Sequence, residues 1–280
     1  MSLAQAVSTQ MLWLLGHGVQ RSPSPAMQNA ALRACGLQDW RYEIHDVAPA
    51  ELGAALAEMR AGAARGANVT IPHKRAVAAA CDELAGDARL TGAVNTVIVR
   101  DGRLVGDNTD ALGLEGALRH QHAVPPPGFS AVVLGAGGAA SAAVLAATRC
   151  GAAGVSVVAR RAEAAAAVSG ATAAVGWDTE AVAAALGQAR DPLLVNATPA
   201  GLGDLPLDLD RLPPTCTVVD LRYRPRPVDL VAAARERGLP ACDGLEMLLH
   251  QGMLSFERWT GLPAPWDAAR AALDVAVSAP

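Results

Sequence analysis

Residues 131–140 read Ala-Val-Val-Leu-Gly-Ala-Gly-Gly-Ala-Ala. The apolar run Ala131 to Leu134 has the length and β-branched content of a buried strand, and the alanine-rich run beyond the glycines favours helix. Gly135, Ala136, Gly137, Gly138 and Ala139 form the turn between them. With Ala140 at the third position, where alanine is permitted, the turn matches the dinucleotide fingerprint. Its glycines let the backbone turn tightly and approach a pyrophosphate, whose charge rests at a helix amino terminus. A second strand, Val155 to Ala159, follows at the proper distance, which lifts the pattern above an isolated glycine run. The uncharged stretch Ser130 to Thr148 is long enough to raise the question of a membrane span. Its interior glycines break it into strand, turn and helix, so that reading is rejected.

An acid ordinarily ends the second strand and holds the adenosine ribose. Here Ala159, Arg160 and Arg161 stand in its place. Absence of the carboxylate removes repulsion, and guanidinium groups suit a phosphate, so the position favours NADP over NAD. The alternative is a solvated basic pair on a loop. Downstream, Pro192 to Val195 runs into Asn196-Ala197-Thr198-Pro199, and Thr217 to Val219 ends at Asp220, followed by Tyr223 and Pro225. A further short strand closes at Asp243-Gly244. Five strands, each with a polar residue or glycine at its carboxyl end, suit a cofactor cleft.

Upstream lies a different unit. Met11 to Leu15 reads as a buried strand, and Ser22-Pro23-Ser24-Pro25 as a turn before a helix closing near Gly36. Ser24 with Pro25 fits an N-cap followed by proline at the first helical position, which leaves Ser22 unexplained. Trp40, Tyr42 and Ile44 alternate with polar residues as in a half-buried strand, and Pro49 opens a helix ending near Gly62. This alternation implies a parallel sheet. Asn68-Val69-Thr70-Ile71-Pro72-His73-Lys74 reads as a strand end handing over to a helix, with Pro72 in the helix's first turn and Lys74 just behind it. A cation is disfavoured there by the helix dipole; for an arbitrary lysine, a solvated surface position is the usual explanation.

Ala93 to Val99 reads as a strand interrupted by Asn95, with Asp101-Gly102 a turn and Arg103 to Val105 the returning strand. Inside an apolar strand Asn95 must find partners or cost about 1–3 kcal/mol. Gly106-Asp107-Asn108-Thr109-Asp110 precedes a helix over 111–120; capping explains one of these residues, not the cluster. Pro125-Pro126-Pro127-Gly128 is the sharpest break in composition and marks a connection into the second unit. Leu245 to Trp259 is helical by pattern and carries Gln251.

A chain of 280 residues is expected to form two domains. A net charge of −4, with no strongly basic stretch, argues against nucleic acid or an anionic membrane as main partner. The five cysteines (Cys35, Cys81, Cys150, Cys216, Cys242) are scattered and without metal-ligand spacing, so they read as reduced thiols in a cytosolic protein. Met1 to Gln10 has no basic leader region, and Met11 to Leu15 is too short for a signal core.

In combination and in order, these motifs resemble the shikimate dehydrogenase family: Ser22-x-Ser24-Pro25; Asn68-Val69-Thr70-x-Pro72-x-Lys74; Gly92-Ala93-Val94-Asn95-Thr96; Asn108-Thr109-Asp110; the glycine turn; Asn196-x-Thr198-x-x-Gly201; Asp220-x-x-Tyr223-x-Pro225; and Gly244-x-x-Met247-Leu248-x-x-Gln251. The resemblance covers nearly the whole chain. It implies a two-domain α/β fold: a substrate domain over 1–109, a Rossmann-type NADP-binding domain over 110–245, and a carboxyl-terminal helical segment over 246–280 returning to the first. It implies reversible hydride transfer reducing 3-dehydroshikimate to shikimate in chorismate and aromatic amino-acid biosynthesis.

By matching position, Lys74 and Asp110 are the catalytic pair, and Ser22 and Ser24 hold the substrate carboxylate. Thr70, Asn95, Asp110, Tyr223 and Gln251 hold hydroxyls or line the pocket, while Thr198, Gly244 and Met247 join the glycine turn and the arginines around the cofactor. The resemblance implies a small-molecule substrate; together with the charge and cysteine readings above, the expectation is no metal, no nucleic-acid or membrane partner, a cytoplasmic location, and a monomer or homodimer. The residue types suit the chemistry, since reducing a ketone leaves an oxyanion that needs a proton or positive charge nearby. Arg21 stands where the family usually has histidine, Gly252 where alanine usually follows the glutamine, and Ala159 and Arg161 where asparagine and threonine commonly flank the phosphate-binding arginine. The alternatives are a paralogue acting on quinate or an amino-substituted shikimate, and a non-catalytic NADP-binding homologue.

Overall fold

The computed structural model describes residues 9–278. Of the leader reading over 1–10, residues 1–8 lie outside the described residues. The chain divides into two units, one running to Thr109 and resuming at Gln251, the other spanning Asp110–His250.

The first unit contains β1 (Gln10–Gly16), α1 (Ser24–Ala34), β2 (Trp40–Asp46), α2 (Leu52–Arg60), β3 (Gly66–Val69), α3 (Lys74–Ala80), β4 (Glu83–Leu84), α4 (Ala88–Thr91), β5 (Thr96–Arg100) and β6 (Arg103–Asp107). Its sheet runs β2-β1-β3-β5-β6-β4. β1 pairs parallel with β2 and β3, as the alternation implies, but β5 is antiparallel to both β3 and β6. The sheet is therefore mixed. The tight turn at Asp101-Gly102 reverses the chain directly, and a two-residue hairpin can join only antiparallel strands. Leu15, Met59, Ala67, Val77, Val97 and Leu104 form the packed centre of this unit.

The second unit contains α5 (Asp110–His120), β7 (Ser130–Leu134), α6 (Gly138–Arg149), β8 (Gly154–Ala159), α7 (Ala162–Ala166), β9 (Ala173–Gly176), α8 (Thr179–Gly187), β10 (Leu193–Asn196), β11 (Thr217–Asp220), α9 (Asp229–Glu236) and β12 (Ala241–Asp243). Its sheet, β12-β11-β10-β7-β8-β9, is parallel throughout. Side chains alternate across it. Val133, Val157, Val195 and Val219 face Leu114 and Leu118 of α5 and Ala143 and Ala147 of α6. Val132, Leu134, Val158, Leu194 and Val218 face Val182, Leu186, Leu230 and Ala234 of α8 and α9. Both faces are covered, which is why these strands read as unbroken apolar runs. β9 is a sixth strand beyond the five expected, lying at the edge and mostly exposed. The strand order reverses between β7 and β10, and ligands of open parallel sheets bind at such a switch point.

Two boundary expectations need correction. Pro125–Pro127 lies inside the second unit, because α5 already packs on α6 in that unit's core. Asn95 precedes β5 instead of interrupting it. Beyond β12, α10 (Leu245–Thr260) begins in the second unit and continues into the first, followed by α11 (Trp266–Ser278). α11 packs on α1, and Met253 and Phe256 of α10 are fully buried, so the carboxyl-terminal segment completes the first unit.

Candidate functional site

The parallel strands β1 and β3 end side by side, and Thr70 and Lys74 follow directly on β3. Thr70 donates its N–H to the Leu15 carbonyl (2.9 Å), and Gly16 is small because a Cβ there would meet the Thr70 methyl at 2.6 Å. The chain turns through Thr70–His73, closed by the His73 N–H to Thr70 carbonyl bond (2.9 Å). Pro72 thus sits in the turn, outside the helix expected to contain it, and α3 begins at Lys74. His73 is 2% exposed, with its Nε2 2.7 Å from the Val47 carbonyl. Lys74 is half-buried, and its carbonyl accepts from the Val94 N–H (2.9 Å), which brings Asn95 next to it.

Asn95 is the hub of a buried polar network. Its Oδ1 accepts from the Thr109 N–H and from Thr96 Oγ1 (both 2.8 Å), and its Nδ2 donates to Thr109 Oγ1 (2.9 Å) and Gln251 Oε1 (3.2 Å). Thr109 Oγ1 also donates to the Gln251 carbonyl (3.0 Å). Asn68 joins from β3, donating to Ser255 Oγ (2.9 Å) and accepting from the Tyr42 hydroxyl (2.9 Å). Of the cluster at 106–110, Asp107 pairs with Arg258 (2.9 Å), Asn108 donates to the Ala93 carbonyl (2.8 Å), and only Asp110 opens a helix. Asp110 is 3% exposed. Asn68, Thr96 and Thr109 stand in the quoted motifs without a role assigned to them, and Ser255 was not singled out from sequence; the four-residue spacing of Gln251 and Ser255 on one helix face was the available signal.

Ser24 does not cap α1. Pro23 holds that position, no side chain caps the helix, and Ser24 lies within its first turn, 5% exposed. Ser22 Oγ instead accepts from the Ser24 N–H (3.3 Å) and lies 3.1 Å from Ser24 Oγ. The capping duty that would have explained Ser24 is absent. Four residues on, Gln28 donates to the Gly252 carbonyl (2.8 Å), which ties the serine-bearing helix to the turn of α10 carrying Gln251. A Cβ on Gly252 would collide with Met27 Cε, so Met27 occupies the space of the alanine methyl. Asp110 and Tyr223 belong to the other unit.

In the second unit, a cleft of about 810 Å³ opens at the carboxyl ends of β7 and β8. Gly135, Ala136, Gly137, Arg160, Arg161 and Thr198 line it, together with Trp177 and Asp204. Gly135 has φ +114, and a Cβ would press on Thr198 Cγ2 at 2.9 Å, so fold alone demands glycine there. Gly137 differs. Its φ is −86, and a Cβ would meet nothing within 4 Å. Neither backbone nor packing requires glycine, whereas close approach of a ligand to the amino terminus of α6 does. The residues therefore fit a dinucleotide.

Arg160 and Arg161 are exposed, and neither is in an ion pair among the described residues. Thr198 is positioned by Asn196, whose Oδ1 accepts from its N–H (3.0 Å) and hydroxyl (2.7 Å). Asp220 is fully buried and held by Arg222, whose Nη2 also reaches Asp229; these two carboxylates push the Arg222 guanidinium further above its ordinary range. Asp229 in turn accepts from the Leu202 N–H (2.8 Å), which fixes the loop after Thr198. Gly138 and Ala139 begin α6 and do not line the cleft, and neither do Gly244 and Met247. Gly244 is required by the Leu221 carbonyl, which leaves no room for a Cβ, and Met247 packs in the core. Trp177 escaped the sequence reading because no motif marks it. Among the described residues there is no group of three or more His, Cys, Asp or Glu able to hold a metal, and no helix long and apolar enough to cross a membrane.

Residues 14–97 match the shikimate dehydrogenase substrate binding domain, and residues 244–273 the shikimate 5'-dehydrogenase C-terminal domain. The chain is 43% identical over 279 residues to the shikimate dehydrogenase (NADP(+)) of Symbiobacterium thermophilum, covering 94% of this chain and 93% of that one. It resembles the structure of the shikimate 5-dehydrogenase of Thermus thermophilus in complex with NADP(H) and shikimate, with a TM-score of 0.83, 38% identity, and coverage of 95% of this chain and 99% of that one. It also resembles a quinate dehydrogenase from Corynebacterium glutamicum in complex with NAD, with a TM-score of 0.83, 30% identity, and coverage of 96% and 99%.

Proposed function

The chain belongs to the shikimate dehydrogenase family, and on that premise we propose that it is an NADP-dependent oxidoreductase that reversibly reduces 3-dehydroshikimate to shikimate in aromatic amino-acid biosynthesis. The observation that carries the reading is the match along 94% of the chain to a relative of that activity. When bound, the dinucleotide supplies or accepts the hydride.

The chain's own residues do the rest. Lys74 stabilises the oxyanion left by hydride addition and passes it a proton, with the Asp110 carboxylate as its partner in proton movement. Ser22 and Ser24 donate to the substrate carboxylate; Thr70, Asn95, Tyr223 and Gln251 order its hydroxyls. Gly135, Ala136 and Gly137 hold the pyrophosphate at the amino terminus of α6, with Thr198 shaping the neighbouring wall; Gly138, Ala139, Gly244 and Met247, which do not line the cleft, support that wall from behind. Arg160, with Arg161, takes the 2'-phosphate. In this proposal the substrate domain is 1–109 with the 246–280 segment, the cofactor domain is 110–245, and the protein works in the cytoplasm as a monomer or homodimer. All five cysteines are free thiols, in keeping with that location.

A second reading, a quinate-oxidising enzyme, is favoured by the likeness to the quinate dehydrogenase. By the family resemblance, the pair Ser22 and Ser24 points to shikimate. A spectrophotometric assay pairing shikimate and quinate with NADP+ and NAD+ decides between them. Shikimate with NADP+ is expected to give the highest kcat/KM; faster turnover of quinate, or none of either, would overturn the assignment.

A further inference from the structure

β8 and β9 are parallel neighbours whose last paired residues are Ala159 and Gly176. One residue further along each strand lie Arg160 and Trp177. Parallel pairing carries them out of the sheet side by side, and the Arg160 guanidinium carbon lies over the indole, 5.6 Å from the ring centroid. Both residues line the cleft beside Gly135 and Gly137.

The indole is packed against the core, and the residue after it is fixed by a helix cap. Trp177 is half-buried against the cluster formed by Val158 of β8 and Val182 of α8 with their neighbours. Immediately after it, Asp178 caps α8 by accepting from the Ala181 N–H (2.9 Å). Arg160 has no ion-pair partner among the described residues, so the ring face is the contact that orients its guanidinium. Arginine has several rotatable bonds, and ordering it in advance lowers the entropy lost when it grips a phosphate.

We propose that Trp177 is a positioning residue for cofactor choice, holding Arg160 by a cation–π contact so that the guanidinium stands ready for the 2'-phosphate of NADP. The inference rests on the reading of Arg160 given above. It predicts an effect confined to the ligand that carries the extra phosphate, and one that an aromatic ring of another kind preserves.

Calorimetric titration of the intact protein with NADP+ and with NAD+ tests it without turnover. Trp177→Leu keeps apolar bulk and removes the π face; it should weaken NADP+ about 2- to 5-fold, the scale of an exposed cation–π contact, and leave NAD+ unchanged. Trp177→Phe should hold the ratio of the two dissociation constants within about 2-fold of the parent, since Phe keeps a π face. In an Arg160→Ala background, Trp177→Leu should have no further effect on that ratio. An unchanged ratio in Trp177→Leu, equal weakening of both ligands, or additive effects in the double variant would each overturn the proposal. Arg160→Ala alone separates the two layers. Should it leave the ratio at the parent value, the phosphate role of Arg160 falls and this inference with it; should it abolish the preference while Trp177→Leu does not lower it, only the inference falls.

Discussion

Gly137→Ala separates a glycine kept for a ligand from one kept for the fold. At this position φ is −86 and ψ −172, ordinary for alanine, and the added methyl would touch nothing within 4 Å. Removing glycine's freedom in the unfolded chain stabilises by about 0.4–1 kcal/mol, while alanine is the poorer N-cap for α6 by a similar amount. The two offset, so the melting temperature should stay within about 3 °C of the parent.

Binding should behave differently. A pyrophosphate oxygen must come within about 2.9 Å of a backbone N–H to bond to it, and a methyl in the cleft prevents that approach. Losing one charge-assisted hydrogen bond costs about 1.5–3 kcal/mol, or roughly 10- to 100-fold in affinity. NADP+ and NAD+ should suffer equally, because the pyrophosphate is common to both. Thermal melts and calorimetric titration read the two halves. Unchanged affinity, or a melting temperature lowered by more than about 5 °C, would refute the reasoning, since the glycine would then serve packing. Gly135→Ala is the contrast: with φ +114 and Thr198 2.9 Å from the new Cβ, it should lose stability outright.

Lys74→Ala should lower kcat by at least about 100-fold with far less change in KM, and near-normal turnover would return Lys74 to an ordinary surface charge. Ser22→Ala should raise KM for shikimate roughly 10- to 100-fold and leave the dissociation constant for NADP+ alone; a matching loss of cofactor affinity would count against the assignment. Asn95→Ala strips the acceptor from the buried Thr109 N–H and should cost about 1–3 kcal/mol in urea unfolding, whereas an unaltered midpoint would mean the network is dispensable. Burial pushes the Cys216 thiol up to about 12 and Cys242 to about 11, so at pH 8 their thiolate fractions are on the order of 10⁻⁴ and 10⁻³. Both should resist Ellman's reagent in the native protein and react on unfolding. Because the unfolded chain releases these protons first, the same two thiols should make stability fall as pH climbs from 9.0 towards 11–12, a slope that Cys216→Ala would reduce.

Much of the molecule could be read along the chain because its signals are local. An apolar run, a glycine turn and an alanine-rich run are adjacent in sequence, and β7, Gly135–Gly137 and α6 form where they stand. Val132 and Val133 face opposite sides of the sheet, yet both are buried, which is why the stretch reads as an unbroken apolar run and could be recognised as a buried strand. The motif around Lys74 likewise announced a strand end and a helix start.

What the chain could not announce are partnerships between distant residues and features with no local pattern. Asn95 meets Gln251 across 156 positions, and Ser24 lost its expected capping role to Pro23 only once the turn had formed. β9, Ala173–Gly176, is a mostly exposed edge strand of four small residues, too short and too weakly apolar to stand out from the alanine-rich chain around it. Its pairing with β8 nonetheless sets Trp177 beside Arg160. Strand, turn and helix preferences act over a few residues and survive in the linear pattern. Register between strands and the company of a buried side chain arise only when the chain closes on itself, and there the tertiary structure decided.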